Sequence, residues 1–579
     1  MPLRAILWLL LAVFAGSAIG FKIGLPGSDP TAATAGSATH RPVADSLFAP
    51  PSGRPVQPHL LDTSGSSSAV GLQPLSSGGG SASASPSSSN GSDAGSSTGN
   101  AAANASYATD LSFLAFPGAT PAGTTPATGT ATSFSTGPPA TTTPTSTTPT
   151  TPSGPPPTIS GVHTVALSPL SATIAWQTSE ATTGRAAYGL DVPSLWTPAT
   201  TMSTSHTTTL TGLAAASSYK LVVGSTTADG RTGTAEFLLT TPPRSDSARM
   251  TTSGGAILIN GQPSFPKIVW AQCSDALAGN MAVGIDVFMG NGCGNGAQLA
   301  SWLGGAAFVI GDAQDSPAAR AGTLGTYLPD EWDTHLPDDF SLADAQRIVP
   351  PSPGSGPRFL TLTNHFYSRA SPLPQGRGMY PALVASADIL GFDLYPLQNW
   401  CRFDSFHDVF DSQIDLVSIA RGKPTFQWIE ARRMDCSGAE LDPTPETVRA
   451  ESWLSIGGGA HAIGYFPNNW SPAVGAEIAR TNHEIQTLVP ALVEANTAAS
   501  VATGSLVKVG AREHNGAVYV IAVNASRGAS AATITVPALG DRTLRSLDGL
   551  HAAVASGGSF SDTFGPLEVR IYIAAPVQG

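Results

Sequence analysis

Seven short polar clusters, each directly behind an apolar run, hold most of the residues able to do chemistry in this 579-residue chain. In order they are Trp270-Ala-Gln272, Gly311-Asp312, Pro329-Asp330-Glu331-Trp332-Asp333, Asn364-His365, Asp393-Leu-Tyr395-Pro396, Gln427-Trp428-Ile429-Glu430 and Asn468-Asn469-Trp470. Carboxylates and amides bind hydroxyls, and indole rings stack on the apolar faces of pyranose rings while excluding water. The set therefore suits a carbohydrate. Two carboxylic acids can divide glycosidic bond cleavage between them: one attacks the anomeric carbon and the other protonates the leaving oxygen, roughly 5 Å apart in the retaining geometry. No H-E-x-x-H pattern occurs, and no G-x-S-x-G elbow lies among these clusters, so zincin and serine-hydrolase chemistry fall away. No cofactor and no metal is expected.

The clusters need elements that bring them to one place. Eight apolar runs read as strands: Lys267 to Trp270, Gly284 to Met289, Ala306 to Ile310, Gly325 to Leu328, Arg358 to Leu362, Ile389 to Leu394, Pro424 to Ile429 and Ala462 to Phe466. Helical patterns separate them. Phe406, Phe410, Ile414 and Val417 recur at helical spacing with Gly422 as a C-cap, and Ala450, Trp453, Leu454 and Gly457 follow Thr444-Pro445 as N-cap and first residue. Eight strand-then-helix units over residues 248–500 have the size and pattern of a (β/α)8 TIM barrel, whose reactive residues gather at the carboxyl ends of the strands. A doubly wound sheet is the alternative, but no glycine-rich phosphate loop follows any strand.

With the clusters at one rim, residues 248 to 579 resemble the glycoside hydrolases of clan A. The motifs carrying the resemblance are Asp330-Glu331 after strand four, Asp393-Leu-Tyr395-Pro396 after strand six and Glu430 after strand seven. It implies Glu331 as acid/base and Glu430 as nucleophile, with Tyr395 hydrogen-bonded to the nucleophile. Apart from the resemblance, their place at the strand ends makes Asp330, Asp393, Trp270, Asn364, Trp428 and Trp470 the expected substrate-binding residues. Two departures stand out: Asp330 occupies the position usually held by Asn, and Trp332 replaces the frequent Pro. Against these roles stand plainer ones. Asp393 could bond loop amides, Asp312 could cap a helix, Trp428 could be core, and Asp333 and His335 read as solvated. A non-catalytic carbohydrate-binding or adhesion protein with an inactive barrel is the rival function.

Outside the barrel, residues 158–243 carry short alternating strands with Trp176 early and Tyr219 behind Leu210-Thr-Gly-Leu213. That stretch resembles a fibronectin type III module, a β-sandwich with a corner tyrosine. Residues 503–576, with an Asn515-Gly516 hairpin signal, read as a C-terminal β-sandwich. Residues 1–20 have one positive charge, an apolar run and small residues, the layout of a signal peptide or short membrane anchor. Residues 28–157 collapse into Ser, Thr, Gly, Ala and Pro and read as a long disordered linker, about 60 Å end to end for some 130 residues. The expected site of action is secreted or tethered at the cell surface. A net charge of −12, from 28 basic and 40 acidic residues, argues against a nucleic-acid partner. The four cysteines, Cys273, Cys293, Cys401 and Cys436, form no C-x-x-C pair; two disulfides bracing rim loops suit export, with three pairings open. The oligomeric state is not legible.

Overall fold

The computed structural model describes residues 154–244, 248–502 and 504–577. The leader at 1–20 and the 28–157 tract, except its last four residues, lie outside the described residues.

The first body holds β1 (Ile159–Leu167), β2 (Ala172–Gly189), β3 (Leu195–Trp196), β4 (Ser203–Leu210), β5 (Ser218–Thr226) and β6 (Thr232–Thr240). Strand β2 serves two groups of partners. Its first half pairs antiparallel with β1 and β4, and its second half with β5 and β3. The runs read separately from sequence as Ala172 to Trp176 and Gly184 to Tyr188 are thus one bent strand. The residues between them contain no proline, and their threonines favour extended backbone. Trp176 is fully buried, and its Nε1 donates to Ser225 Oγ at 2.9 Å. The hydroxyl of buried Tyr219 accepts from the Ala214 amide at 2.7 Å, fixing the turn before β5. This body is docked rather than dangling: Tyr519 donates to the Ser194 carbonyl at 2.9 Å and Asn515 to that of Trp196 at 2.7 Å.

Next come β7 (Met250–Ser253), β8 (Ala256–Ile259) and β9 (Gln262–Ser264), a small antiparallel sheet. Its Met250, Ile257 and Ile259 share one apolar cluster with the residues that fill the barrel. The barrel strands are β10 (Lys267–Gln272), β11 (Val287–Asn291), β12 (Phe308–Asp312), β13 (Gly325–Tyr327), β14 (Arg358–Thr363), β15 (Ile389–Asp393), β16 (Thr425–Glu430) and β17 (Ala462–Phe466). All neighbours are parallel and β17 pairs back to β10, so the expected eight-stranded barrel closes. Alternation puts Ile268, Val287, Met289, Phe308, Ile310, Phe359, Phe426 and Trp428 inside. Two glycines make room for the large rings of β16. A Cβ on Gly391 would lie 2.1 Å from the Phe426 ring, and one on Gly464 would lie 2.3 Å from the Trp428 ring.

The helices confirm the pattern in place but not always in face. In the helix Asp408–Ala420 the buried side is Val409, Phe410, Gln413, Leu416 and Ala420, whereas Ile414 and Val417 are exposed. Phe406 precedes the helix, so the sequence stripe was phased on a residue outside it. The helix Pro445–Gly458 starts as expected, with Thr444 closing a capping box. It is buried almost all round because it lies between the barrel and the last body: a Cβ on Gly510 would touch the Gly457 carbonyl oxygen at 2.1 Å. There the fully buried Arg512 donates to the Ile456 carbonyl at 2.8 Å, a cation at a helix C-terminus.

The last body has two sheets. One runs β18 (Asn496–Thr497), β20 (Val507–His514), β21 (Ala517–Asn524), β26 (Val569–Ala574), β23 (Thr543–Ser546), β24 (Ala552–Val554), and the other β19 (Ser500–Val501), β22 (Ser530–Thr535), β25 (Ser559–Phe564). Both face one core that includes Val520, Ile534, Phe560 and Tyr572.

Candidate active site at the carboxyl end of the barrel

The end of β13 decides the geometry of the rim. In an extended strand neighbouring side chains point to opposite faces, so Asp330 and Glu331 could not both look into the barrel. Glu331 breaks that rule with φ +44° and ψ 40°, a left-handed conformation that a glutamate adopts only at a cost. The kink brings both carboxyls towards Asp393, the last residue of β15. The Asp393 carboxyl is hydrogen-bonded to that of Glu331. Two carboxyl groups can bond each other only with a proton between them. Burial first, then the charge and hydrogen bond of Glu331, then Asp330 and Asp333, hold Asp393 well above the usual carboxylate range. Asp393 therefore keeps its proton to a higher pH than a free carboxyl would.

Asp330 hydrogen-bonds the Thr361 side chain on β14. Asp330 is exposed at the mouth, yet barrel atoms crowd its carboxyl. That crowding, and then the Glu331 charge, push it up to about 7. Asp333 is not solvated as its polar surroundings suggested. It is fully buried, accepting from the Thr363 amide at 3.1 Å, from the Thr363 hydroxyl and from Tyr380 Oη at 2.9 Å, and so ties the β13 loop to the top of β14. His335 is exposed.

Beneath the acids lies an aromatic floor. Trp270 meets Tyr327 edge-on at 5.0 Å and Trp428 at 6.1 Å, and Trp428 Nε1 donates to Thr361 Oγ1 at 3.1 Å. Tyr395 stacks on Phe466 at 6.2 Å, and the charges of Asp393, Asp330 and Glu331 raise its phenol after burial has done so. Tyr327 escaped the sequence reading, although an aromatic three residues before Asp330 was a usable signal. Its phenol hydrogen-bonds Asp312, which also accepts from the Gln314 amide at 2.8 Å and therefore shapes a loop rather than capping a helix.

Not every expected residue joins this group. Glu430 has the inward phase, but it has no exposed surface and both oxygens are taken: Oε1 accepts from the Leu397 amide at 3.0 Å and Oε2 from the Gln398 amide at 2.8 Å. The turn after β15 lies over it, so the expected face-off of Glu331 and Glu430 across one gap is replaced by Glu331 against Asp393. Burial raises Glu430 to about 8. Its amide donates to Glu451 Oε1 at 3.1 Å, a second fully buried acid set among the apolar residues of helix Pro445–Gly458. Trp470 packs edge-on against Tyr465, whose hydroxyl donates to Asn482 of the helix Pro472–Leu492, and so belongs to the outer layer. Asn364 is buried in the 3-10 turn that follows β14, and His365 Nδ1 bonds the Ser371 carbonyl at 2.8 Å.

Cys273 pairs with Cys293, and Cys401 with Cys436, each joining loops behind consecutive or neighbouring strands. Ligand atoms of His407, Asp408 and Asp411 lie within 4.8 Å of one another. Those acids already meet Arg369, Lys508 and the Tyr367 hydroxyl, so a cation would have to displace existing partners.

No family model matches the chain, and no curated protein matches it. Its fold is similar to that of an α-amylase from Geobacillus thermoleovorans solved with acarbose, at 10% identity over 54% of this chain and 99% of that one, TM-score 0.37. A cyclomaltodextrinase is similar at 9% identity over 71% and 98%, TM-score 0.36. An endoxylanase from Clostridium papyrosolvens follows at 12% identity over 54% and 96%, TM-score 0.30. Likeness of this order carries no weight for activity, which must be argued from the rim itself.

Proposed function

We propose that this chain is a retaining glycoside hydrolase in which the Glu331–Asp393 pair is the proton donor and Asp330 is the nucleophile. The observation that carries the reading is the carboxyl-to-carboxyl hydrogen bond between Glu331 and Asp393, set in a barrel mouth over Trp270, Tyr327 and Trp428. The sugar ring stacks on the indoles. The stored proton passes to the glycosidic oxygen while Asp330, held by Thr361, attacks the anomeric carbon. Water then resolves the glycosyl ester, with the deprotonated pair as base. Glu331 keeps the acid/base role that the resemblance implied, now shared with Asp393, and the nucleophile moves from Glu430 to Asp330. The strained backbone at Glu331 fits a functional position.

The disulfides suit an exported protein, and no helix among the described residues is long and apolar enough to cross a membrane. We read the first body as a fibronectin type III module, supported by the corner bond of Tyr219.

The test uses phenyl glycosides, whose leaving oxygen needs a proton, and 2,4-dinitrophenyl glycosides, whose leaving oxygen does not, of both anomers across a panel of hexoses and pentoses. Asp393→Asn and Glu331→Gln lower kcat/KM on the phenyl glycosides by about 10²–10⁴ and far less on the dinitrophenyl glycosides. Asp330→Ala with azide yields a glycosyl azide of inverted configuration. If the unmodified protein hydrolyses nothing yet binds glycans, the non-catalytic binding reading replaces this one.

A further inference from the structure

Glu430 is a buried acid that the proposed chemistry does not use, and its surroundings say what it does. Asp393 ends β15, and the turn that follows carries Tyr395 at its start and donates the amides of Leu397 and Gln398 to the two Glu430 oxygens. Gln398 answers in the other direction: its Nε2 donates to the Leu441 carbonyl at 2.7 Å and its Oε1 accepts from the Met434 amide at 2.6 Å, both in the loop after β16. The Cys401–Cys436 disulfide joins the same two loops. Within the turn, the Asn399 and Trp400 amides bond the Tyr395 carbonyl and the Arg402 amide bonds that of Pro396. Glu430 itself is anchored from behind, its amide bonded to Glu451 and the next amide, Ala431, to the Phe466 carbonyl.

We infer that Glu430 is a positioning residue: its carboxyl group clamps the 395–398 turn and so sets Asp393 against Glu331 and Tyr395 against Phe466. The inference rests on the glycosidase reading for its kinetic consequence, but its structural core stands without it. Two amide donors converge on the two oxygens of one carboxyl group, each of which can accept, and a carboxamide cannot serve both, because its NH2 group would face one of the N–H donors. Glu430→Gln therefore frees one amide, and the turn loosens. Glu451 from the helix Pro445–Gly458 faces Glu430, and Tyr395 of the turn faces Asp393, Asp330 and Glu331 as well as Glu451.

The test has two arms. By hydrogen–deuterium exchange on the full chain, the Leu397 and Gln398 amides are protected in the unmodified protein, and the 394–402 segment exchanges at least tenfold faster in Glu430→Gln while β16 and β17 stay protected. Kinetically, on whichever aryl glycoside the unmodified protein turns over, the variant loses about 10²-fold in kcat, with KM within threefold, as expected for a misplaced acid. In its pH profile the high-pH limb set by Asp393 shifts. Azide does not rescue Glu430→Ala. Formation of a glycosyl azide by Glu430→Ala overturns the inference, as does unchanged exchange in the turn. If the unmodified protein has no activity, the function reading fails, and the exchange arm still decides this one.

Discussion

Gly464→Ala tests whether the floor of the site is as tightly packed as the barrel interior implies. The new methyl would sit 2.3 Å from Cε3 and Cζ3 of Trp428 and 3.0 Å from Cδ2, where ordinary contact begins at 3.4 Å. The rigid, nearly buried indole must retreat by about 1 Å, which breaks its 3.1 Å bond to Thr361 Oγ1. Overpacking costs about 1–3 kcal/mol and the lost hydrogen bond about 1 kcal/mol, so the substitution should destabilise the protein by about 2–4 kcal/mol. Trp428→Leu removes both offending atoms and by itself costs about 3 kcal/mol through lost burial and cavity formation. The double variant should then be less damaged than the sum by about 2 kcal/mol, the signature of two groups competing for one space. Urea unfolding of the four proteins in the cycle, followed by circular dichroism, measures this. A loss below about 0.5 kcal/mol for Gly464→Ala, or strict additivity with Trp428→Leu, would falsify the packing argument. Activity offers a parallel readout, because Thr361 also holds Asp330.

Three further outcomes follow from named groups. Activity should rise as pH increases through about 7, where Asp330 loses its proton, and fall at higher pH as Asp393 loses its own; a pH–kcat/KM profile whose low limb lies near pH 4 would contradict the crowding at Asp330. Glu430 is raised from 4.5 to about 8, so the folded state binds a proton that the unfolded state releases; stability is full below about pH 4.5 and declines towards pH 8, and the melting temperature of Glu430→Gln should vary less over that window than that of the unmodified chain. Tyr219→Phe leaves the Ala214 amide without its 2.7 Å acceptor and should cost about 1–3 kcal/mol in thermal unfolding, against no measurable change if the corner bond is incidental.

Periodicity carried the fold further than it carried the site, for a physical reason. Eight apolar runs, each long enough for a strand and followed by a polar cluster, leave little choice but a parallel barrel, and Thr444-Pro445 marks a helix start that backbone hydrogen bonding requires. Phase could also be read: Glu430 does have the inward parity of Phe426 and Trp428. What alternation cannot give is the path of the chain after a strand ends. The turn at 395–398 folds back over β16 and converts an inward carboxylate into an anchor, while the left-handed kink at Glu331 lets two consecutive acids face the same way. Both events are decided by single backbone conformations outside the regular elements, where no repeat exists to be read. The kink is the more informative, since an uncommon conformation on a non-glycine residue persists only where neighbouring contacts hold it. Here those contacts are Asp393 across the mouth, and the Thr334 amide and hydroxyl bonded to the Glu331 carbonyl. A glycine at 331 would relieve the backbone and lose the proton-sharing carboxyl, so strain and chemistry are borne by the same residue. That coincidence is what the proposed arrangement of a proton donor beside a nucleophile, next to each other in the chain, demands.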